Sequence, residues 1–231
     1  MSAYAGTFSI SPVRLDLSAA TRTAALTVRN EDREVLVQAE LMLWEQVDGE
    51  DRLTPTRDLL VSPAVFTLPP NGAQLVRVAL RSPPPATREL SYRLILQEVP
   101  PAAKPGFTGL QVTLRLNLPV FVAPPDATGP KLTWSAVTTA DDHLVIAALN
   151  DGDVHARIHS FAVAPAAATA GADAPLVQPV ATYILPGQSH SWTLGPVPGT
   201  VAIDAPTHRL QLKVTTDDGD SETGLDITGV R

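Results

Sequence analysis

The chain has 231 residues, 44% hydrophobic and 18% charged, with a net charge of −7, 22 prolines and no cysteine. That length allows one large domain or two small ones, each able to bury a core. The composition excludes a disordered chain, the charge argues against nucleic-acid or anionic-membrane partners, and the missing cysteines exclude disulfides, thiolate metal sites and thiol nucleophiles.

No apolar run approaches the roughly 18 residues that span a membrane, so a soluble protein without membrane insertion is expected. The opening Met1-Ser2-Ala3-Tyr4 has neither a charged n-region nor an apolar h-region. It fits a cytoplasmic protein, or a mature exported domain behind a new Met.

Period-2 alternation dominates, broken by Pro, Gly, Asn and Asp. Thr23–Val28 leads into a polar turn at Asn30-Glu31-Asp32, and Val35–Trp44 reads as a long strand. Pro69-Pro70-Asn71-Gly72 is a turn signal before a strand over Ala73–Leu80. Tyr92–Val99 is another strand, and Leu110–Val122 is expected to be the longest, with the cleanest alternation. Many short strands with regular turns point to an all-β sandwich.

The second half echoes the first. Leu144–Gly152 repeats the first strand and its Asn-acid turn, and Tyr183–Ser189 repeats Phe66–Gly72. The offsets are 120 (Asn30 to Asn150) and 116 (Pro70 to Pro186). Near-equal offsets predict two tandem domains of one architecture: residues 1–123, a proline-rich linker 124–130, and residues 131–231. Residues 1–123 carry 12 basic and 12 acidic side chains, and 124–231 carry 5 and 12, so the whole net charge belongs to the second half.

Catalytic signatures are not found: no Gly-x-Ser-x-Gly elbow, no phosphate loop, no His-Glu-x-x-His. Gly187-Gln188-Ser189-His190-Ser191 reads as a turn entering a strand. His155, Arg157 and His159 alternate on one strand face without an evident third metal ligand. Asp217-Asp218-Gly219-Asp220 lacks calcium-loop spacing and reads as a hairpin turn. Neither an enzyme nor a cofactor is expected.

Several segments resemble the periplasmic pilus-assembly chaperones, the PapD-like family, as a divergent or archaic-type member. They are Ile10-Ser11-Pro12-Val13-Arg14-Leu15, Pro69 to Arg77, Tyr92 to Pro100 and Leu118 to Pro124. The resemblance is good over residues 8–124 and looser over 130–231. It implies two tandem immunoglobulin-like β-sandwich domains in a boomerang arrangement, a periplasmic location for the mature form, pilin subunits and an outer-membrane usher as partners, and no catalysis.

Such chaperones donate a strand to a pilin subunit that lacks its last one, which is β-augmentation with apolar plugs. The resemblance assigns this task to the strand over residues 110–122, with Leu110, Val112, Leu114 and Leu116 on one face. Alternation alone also allows that face to fill the domain's own core. A second copy pairing through the same strand would give a self-capping homodimer.

The resemblance further implies a basic pair, deep in the cleft between domains, that grips the subunit's C-terminal carboxylate. Arg14 matches the first member. The second, a lysine in typical members, falls on Pro119, and Arg93 or, after it, Arg115 is the expected substitute. Ala123 stands where an interdomain arginine is common, although Glu89 matches an acidic partner of that network. Leu36, Gln38, Ser62, Ala64, Val65, Arg77 and Val99 occupy positions matching the usher-docking patch. The competing expectation is a two-domain adhesin or binding module without a chaperone role.

Overall fold

A computed structural model of the chain describes residues 8–82, 87–100, 112–139, 143–165, 176–196 and 209–228. All regular structure among these residues is β. They fall into two compact units, one from Met1–Glu45 and Asp51–Asp126, the other from Gln46–Glu50 and Ala127–Arg231.

The first unit's strands are β1 (Phe8–Ser11), β2 (Leu15–Ser18), β3 (Thr23–Asn30), β4 (Val35–Val47), β5 (Glu50–Pro55), β6 (Leu59–Ser62), β7 (Val65–Leu68), β8 (Ala73–Leu80), β9 (Leu90–Val99) and β10 (Arg115–Ala123). A four-stranded sheet runs β1-β3-β8-β6. A six-stranded sheet runs β2-β10-β9-β4-β5, with β7 also on β4.

Alternation sets the faces. On β4, Val35, Val37, Ala39 and Leu41 are buried while Leu36, Gln38 and Glu40 are exposed. Leu26, Val28, Val76 and Val78 from one sheet meet Leu94, Leu96, Leu118 and Val120 from the other in one apolar core. Tyr92 lies in that core with its hydroxyl 3.1 Å from Asp58 Oδ2. Burial, and then the Asp58 charge, push that hydroxyl well above its ordinary pKa.

The second unit comprises β11 (Leu132–Thr138), β12 (His143–Asn150), β13 (Ala156–Pro165), β14 (Leu176–Ile184), β15 (Ser189–Pro196), β16 (Arg209–Thr216) and β17 (Gly219–Thr228). Its sheet order is β14-β13-β16-β17-β11-β12-β15. Ile146, Ala148 and Leu194 from one end of that path pack with Phe161, Val163, Leu210, Leu212 and Val214 from the other. Both units are thus immunoglobulin-like sandwiches.

The echo seen in sequence is an echo of hydrogen bonds. Asn30 N–H donates to the Gly72 carbonyl at 3.0 Å, and Asn150 N–H to the Gln188 carbonyl at 2.9 Å. Both asparagines are buried. Asn30 Nδ2 donates to the carbonyls of Arg33, Leu68 and Pro69. Asn150 Nδ2 donates to Val154 and Ile184, while its Oδ1 accepts from the Lys131 and Gly152 N–H groups. Each side chain satisfies a turn that has no ladder partner of its own. Gly152 is required there, because an added Cβ would collide with the Gly129 carbonyl. The adjacent Asp153 accepts the Thr128 and Gly129 N–H groups.

One expectation about strand length needs correction. β10 starts at Arg115, not at residue 110, and the longest described strand is β4, with 13 residues. Residues 112–114 are described but lie outside the ladder, and Leu110 lies outside the described residues. The cause is local: side chains of Gln97 and Glu98 take the backbone groups that would continue the pairing.

Candidate functional site

β10 is paired along almost its whole length on one side and over only part of it on the other. It meets β9 from Arg115 to Val122, but meets β2 only at Val120–Ala123. No other described strand pairs with residues 115–119.

Backbone direction on this edge follows from one bond. Glu98 N–H donates to the Leu114 carbonyl at 2.9 Å. Bonded and non-bonded pairs alternate in an antiparallel ladder, so Leu116 and Leu118 also bond β9. The backbone groups of Arg115, Asn117 and Pro119 then turn outward, to the open edge. Pro119 is tolerated inside this strand because its missing N–H falls on that edge. The arrangement presents outward carbonyls and N–H groups to which an extended segment can add.

The side chains of this strand change character along it. Val120 and Val122 are fully buried in the first core and Leu118 nearly so. Leu116 and Leu114 are half-buried and line a small cavity with Phe8, Val28, Val37 and Leu96. Val112 is 49% exposed. The apolar stripe therefore begins in the domain's own core and runs out past its end.

The other face of the same sheet carries the basic residues. Pro119 stands opposite Arg93, which stands opposite Met42. Arg14 directly precedes Leu15, the partner of Val120. Arg93 thus lies directly across the ladder from Pro119, and Arg14 immediately precedes the first β2 residue paired to β10. The Arg93 guanidinium carbon lies 3.5 Å from the Trp44 ring centroid. Its Nη2 is 3.8 Å from Asp51 Oδ2, and the side chain is only 12% exposed. Phe121 packs 6.0 Å from Trp44 across the small Ser91. Arg14 Nε is 3.1 Å from Asp16 Oδ2, in a more exposed pair.

Arg115 belongs elsewhere. It stands opposite Gln97, Gln97 opposite Gln38, and Gln38 opposite Val65, in one row across four strands. Four residues separate it from Pro119, roughly 13 Å along the strand. Leu36 and Val99 form the next pair on that face. The expected docking set therefore divides. Leu36, Gln38, Val65 and Val99 share one face with Arg115, and Val65 is 56% exposed. Ser62 and Arg77 pair with each other on the other sheet. Ala64 lies between, its carbonyl accepting the Ala39 N–H at 2.7 Å.

Two features escaped the sequence reading. The Arg93–Trp44 stack was signalled by Met42 and Trp44, which put large apolar groups on the parity that is polar at Gln38 and Glu40. The Arg33–Glu98 ion pair, 2.6 Å long with Glu98 almost fully buried, joins residues 65 apart and left no local pattern.

In the second unit, His155 packs 5.5 Å from the Tyr183 ring while His159 Nε2 lies 2.6 Å from Asp217 Oδ1. Among the described residues no cluster of three or more potential ligands could hold a metal. Asp217 and Asp218 form the β16–β17 hairpin turn, and Gly187, with φ +76°, turns the chain into β15. A cavity of about 580 Å³ beside Trp134 is lined by Asp218, Asp220, Ser221 and Glu222 and, among the described residues, by no histidine, lysine or arginine.

Comparison with known proteins places this geometry. The aligned part of Chaperone protein FaeE of Escherichia coli is 33% identical over 100 residues, covering 43% of this chain and 36% of that protein. Chaperone protein ClpE of Escherichia coli is 32% identical over the same length, so the matched stretch spans about a third of these relatives.

By fold, the chain resembles the CsuC–CsuE chaperone–tip adhesion subunit pre-assembly complex from archaic chaperone-usher Csu pili of Acinetobacter baumannii. The TM-score is 0.67 at 18% identity, covering 97% of this chain and 100% of that one. The Escherichia coli chaperone DraB matches with a TM-score of 0.59 at 21% identity, covering 96% and 98%. Residues 7–128 match the family described as "Pili and flagellar-assembly chaperone, PapD N-terminal domain". With more than half its length matched, the chain belongs to this family of pilus-assembly chaperones.

Proposed function

We propose that this chain is a periplasmic chaperone that holds pilin subunits by donating the strand entering β10 and passes them to an outer-membrane usher. The observation that carries the reading is the open edge of residues 115–119, continuous with an apolar stripe that becomes exposed at Val112. A subunit lacking its last strand gains main-chain bonds from Arg115, Asn117 and Pro119. Its groove takes Val112, Leu114 and Leu116, with Leu110 next in the same alternation. Burial of each such side chain contributes roughly 1.5–3 kcal/mol.

Arg14 and Arg93 are the pair for the subunit's terminal carboxylate, with Pro119 between them. The Trp44 stack holds the Arg93 guanidinium in place beside Asp51. Arg115 joins Leu36, Gln38, Val65 and Val99 as the usher-facing set, with Ser62, Ala64 and Arg77 at its margin. Release proceeds by replacement with another subunit's strand, without nucleotide, cofactor or covalent chemistry. In the absence of a subunit, the same edge pairs with a second copy as a self-capping homodimer.

The test is co-expression with candidate pilin subunits, comparing wild type with Val112→Glu and Leu114→Glu. The expected result is loss of the complex in variants that fold by circular dichroism. Folded variants that bind as well as wild type would refute strand donation and leave a two-domain adhesin module.

A further inference from the structure

The β9–β10 ladder ends in a specific way. Glu98 and Leu114 face each other one step beyond the last pair, Arg115 and Gln97. Residues so placed ordinarily exchange both backbone bonds. Here Glu98 N–H reaches the Leu114 carbonyl at 2.9 Å. The Leu114 N–H instead goes to the Glu98 side chain, at 3.2 Å from Oε2. Gln97 Nε2 occupies the Glu98 carbonyl at 3.1 Å and also reaches the Leu114 carbonyl at 3.5 Å.

The other carboxylate oxygen, Oε1, receives Arg33 Nη2 at 2.6 Å, and the Glu98 side chain is only 2% exposed. Its surroundings are apolar: Phe8, Val28, Val37, Leu96, Leu114 and Leu116. A carboxylate in such a place persists only when paired and hydrogen-bonded. Both oxygens are committed, one to Arg33 and one to Leu114. The Leu114 bond is therefore charge-assisted.

We propose that Glu98 is a positioning residue that clasps the donor segment. It sets Leu114 as the point where the chain leaves the sheet, and it keeps Leu114 and Leu116 seated over the first core until a subunit arrives. Arg33 holds the clasp from the opposite side. The purpose of the clasp rests on the strand-donation reading; its geometry does not.

The test starts without any partner. Amide hydrogen exchange is followed on the full chain for wild type, Glu98→Gln, Glu98→Leu and Arg33→Leu. In Glu98→Leu the Leu114 amide should exchange about tenfold faster or more, as expected for a lost charge-assisted bond. Val120 and Val122 should keep their protection. Glu98→Gln, whose amide oxygen still accepts, should retain most of the Leu114 protection. Unchanged exchange at Leu114 in Glu98→Leu overturns the proposal. If that variant does not fold, unchanged exchange in Arg33→Leu does so.

The second readout is the dissociation rate of the pilin subunit captured by the wild-type chain. It should change in Glu98→Leu and recover in Glu98→Gln. Equal rates in all variants overturn the positioning role even where exchange is altered. Should Leu114→Glu bind subunits as wild type does, strand donation fails instead, and the exchange data still decide the clasp.

Discussion

Replacing Asn150 by alanine tests the account of what holds each sandwich turn. The side chain is fully buried and makes four bonds: to Val154 O at 2.8 Å and Ile184 O at 3.0 Å, and from Lys131 N at 3.1 Å and Gly152 N at 3.0 Å. At about 0.5–1.5 kcal/mol net per bond, removal costs about 4 kcal/mol. Asn30 makes poorer bonds. Its Nδ2 spreads two hydrogens over three carbonyls at 2.7, 3.3 and 3.2 Å, and its Oδ1 accepts once, at 3.3 Å. Asn30→Ala should therefore cost less, about 2–3 kcal/mol.

Asn150→Asp discriminates further. A carboxylate would face the carbonyls of Val154 and Ile184 without a donor, so at neutral pH it should be worse than alanine. Urea unfolding read by tryptophan fluorescence separates the units, because Trp44 lies in the first and Trp134 and Trp192 in the second. With a slope of about 2 kcal/mol per molar, Asn150→Ala should move the second unit's midpoint by about 2 M and leave the first unit's in place. A loss below about 1 kcal/mol, or an aspartate as stable as asparagine, would refute the reasoning.

Three further outcomes are expected. Arg93→Ala should weaken subunit capture and cost the first unit about 2 kcal/mol from the lost Trp44 stack, read by titration of a captured subunit and by denaturation. Arg93→Lys should recover part of the stability but not the paired grip on a carboxylate. Arg115→Ala should leave subunit capture near wild type and reduce usher docking, read by pull-down with each partner separately. Bonds from Thr128, its backbone N–H first, hold the Asp153 carboxyl below its ordinary 3.8. That contribution to stability is complete at neutral pH and is lost as pH falls below the usual carboxylate range. Asp153→Asn should flatten this acid limb of an unfolding titration.

The strands were readable because each sheet buries one face, so alternation along β3, β4, β8 and β12 writes burial directly into sequence. The repeat was readable for a related reason: an asparagine at each strand end does the same bonding at Asn30 and Asn150. The start of β10 was not. Leu114 alternates as well as Leu116 does, and the side chains of Glu98 and Gln97, 16 and 17 residues away, take the backbone groups that would keep it in the ladder. Arg14 and Arg93 were separable from Arg115 only through register, because three basic residues on strands look alike until the rows across the sheet are known. That Ser62 and Arg77 lie on a different sheet from Leu36 is likewise invisible to alternation.

The central claim is that the outward backbone groups of β10 receive a partner strand, and Asn117→Pro tests it most directly. Proline there removes the one N–H that faces the open edge at that level and leaves the bonds to β9 intact, as Pro119 already does two residues on. Leu116→Pro is the contrast, since it breaks the β9 ladder itself. The measurement is the dissociation rate of a captured pilin subunit from wild type and from Asn117→Pro. The account predicts a folded Asn117→Pro chain that releases its subunit at least about tenfold faster, the loss of one buried main-chain bond and its neighbour's geometry. A folded Asn117→Pro chain that holds its subunit as long as wild type would contradict it.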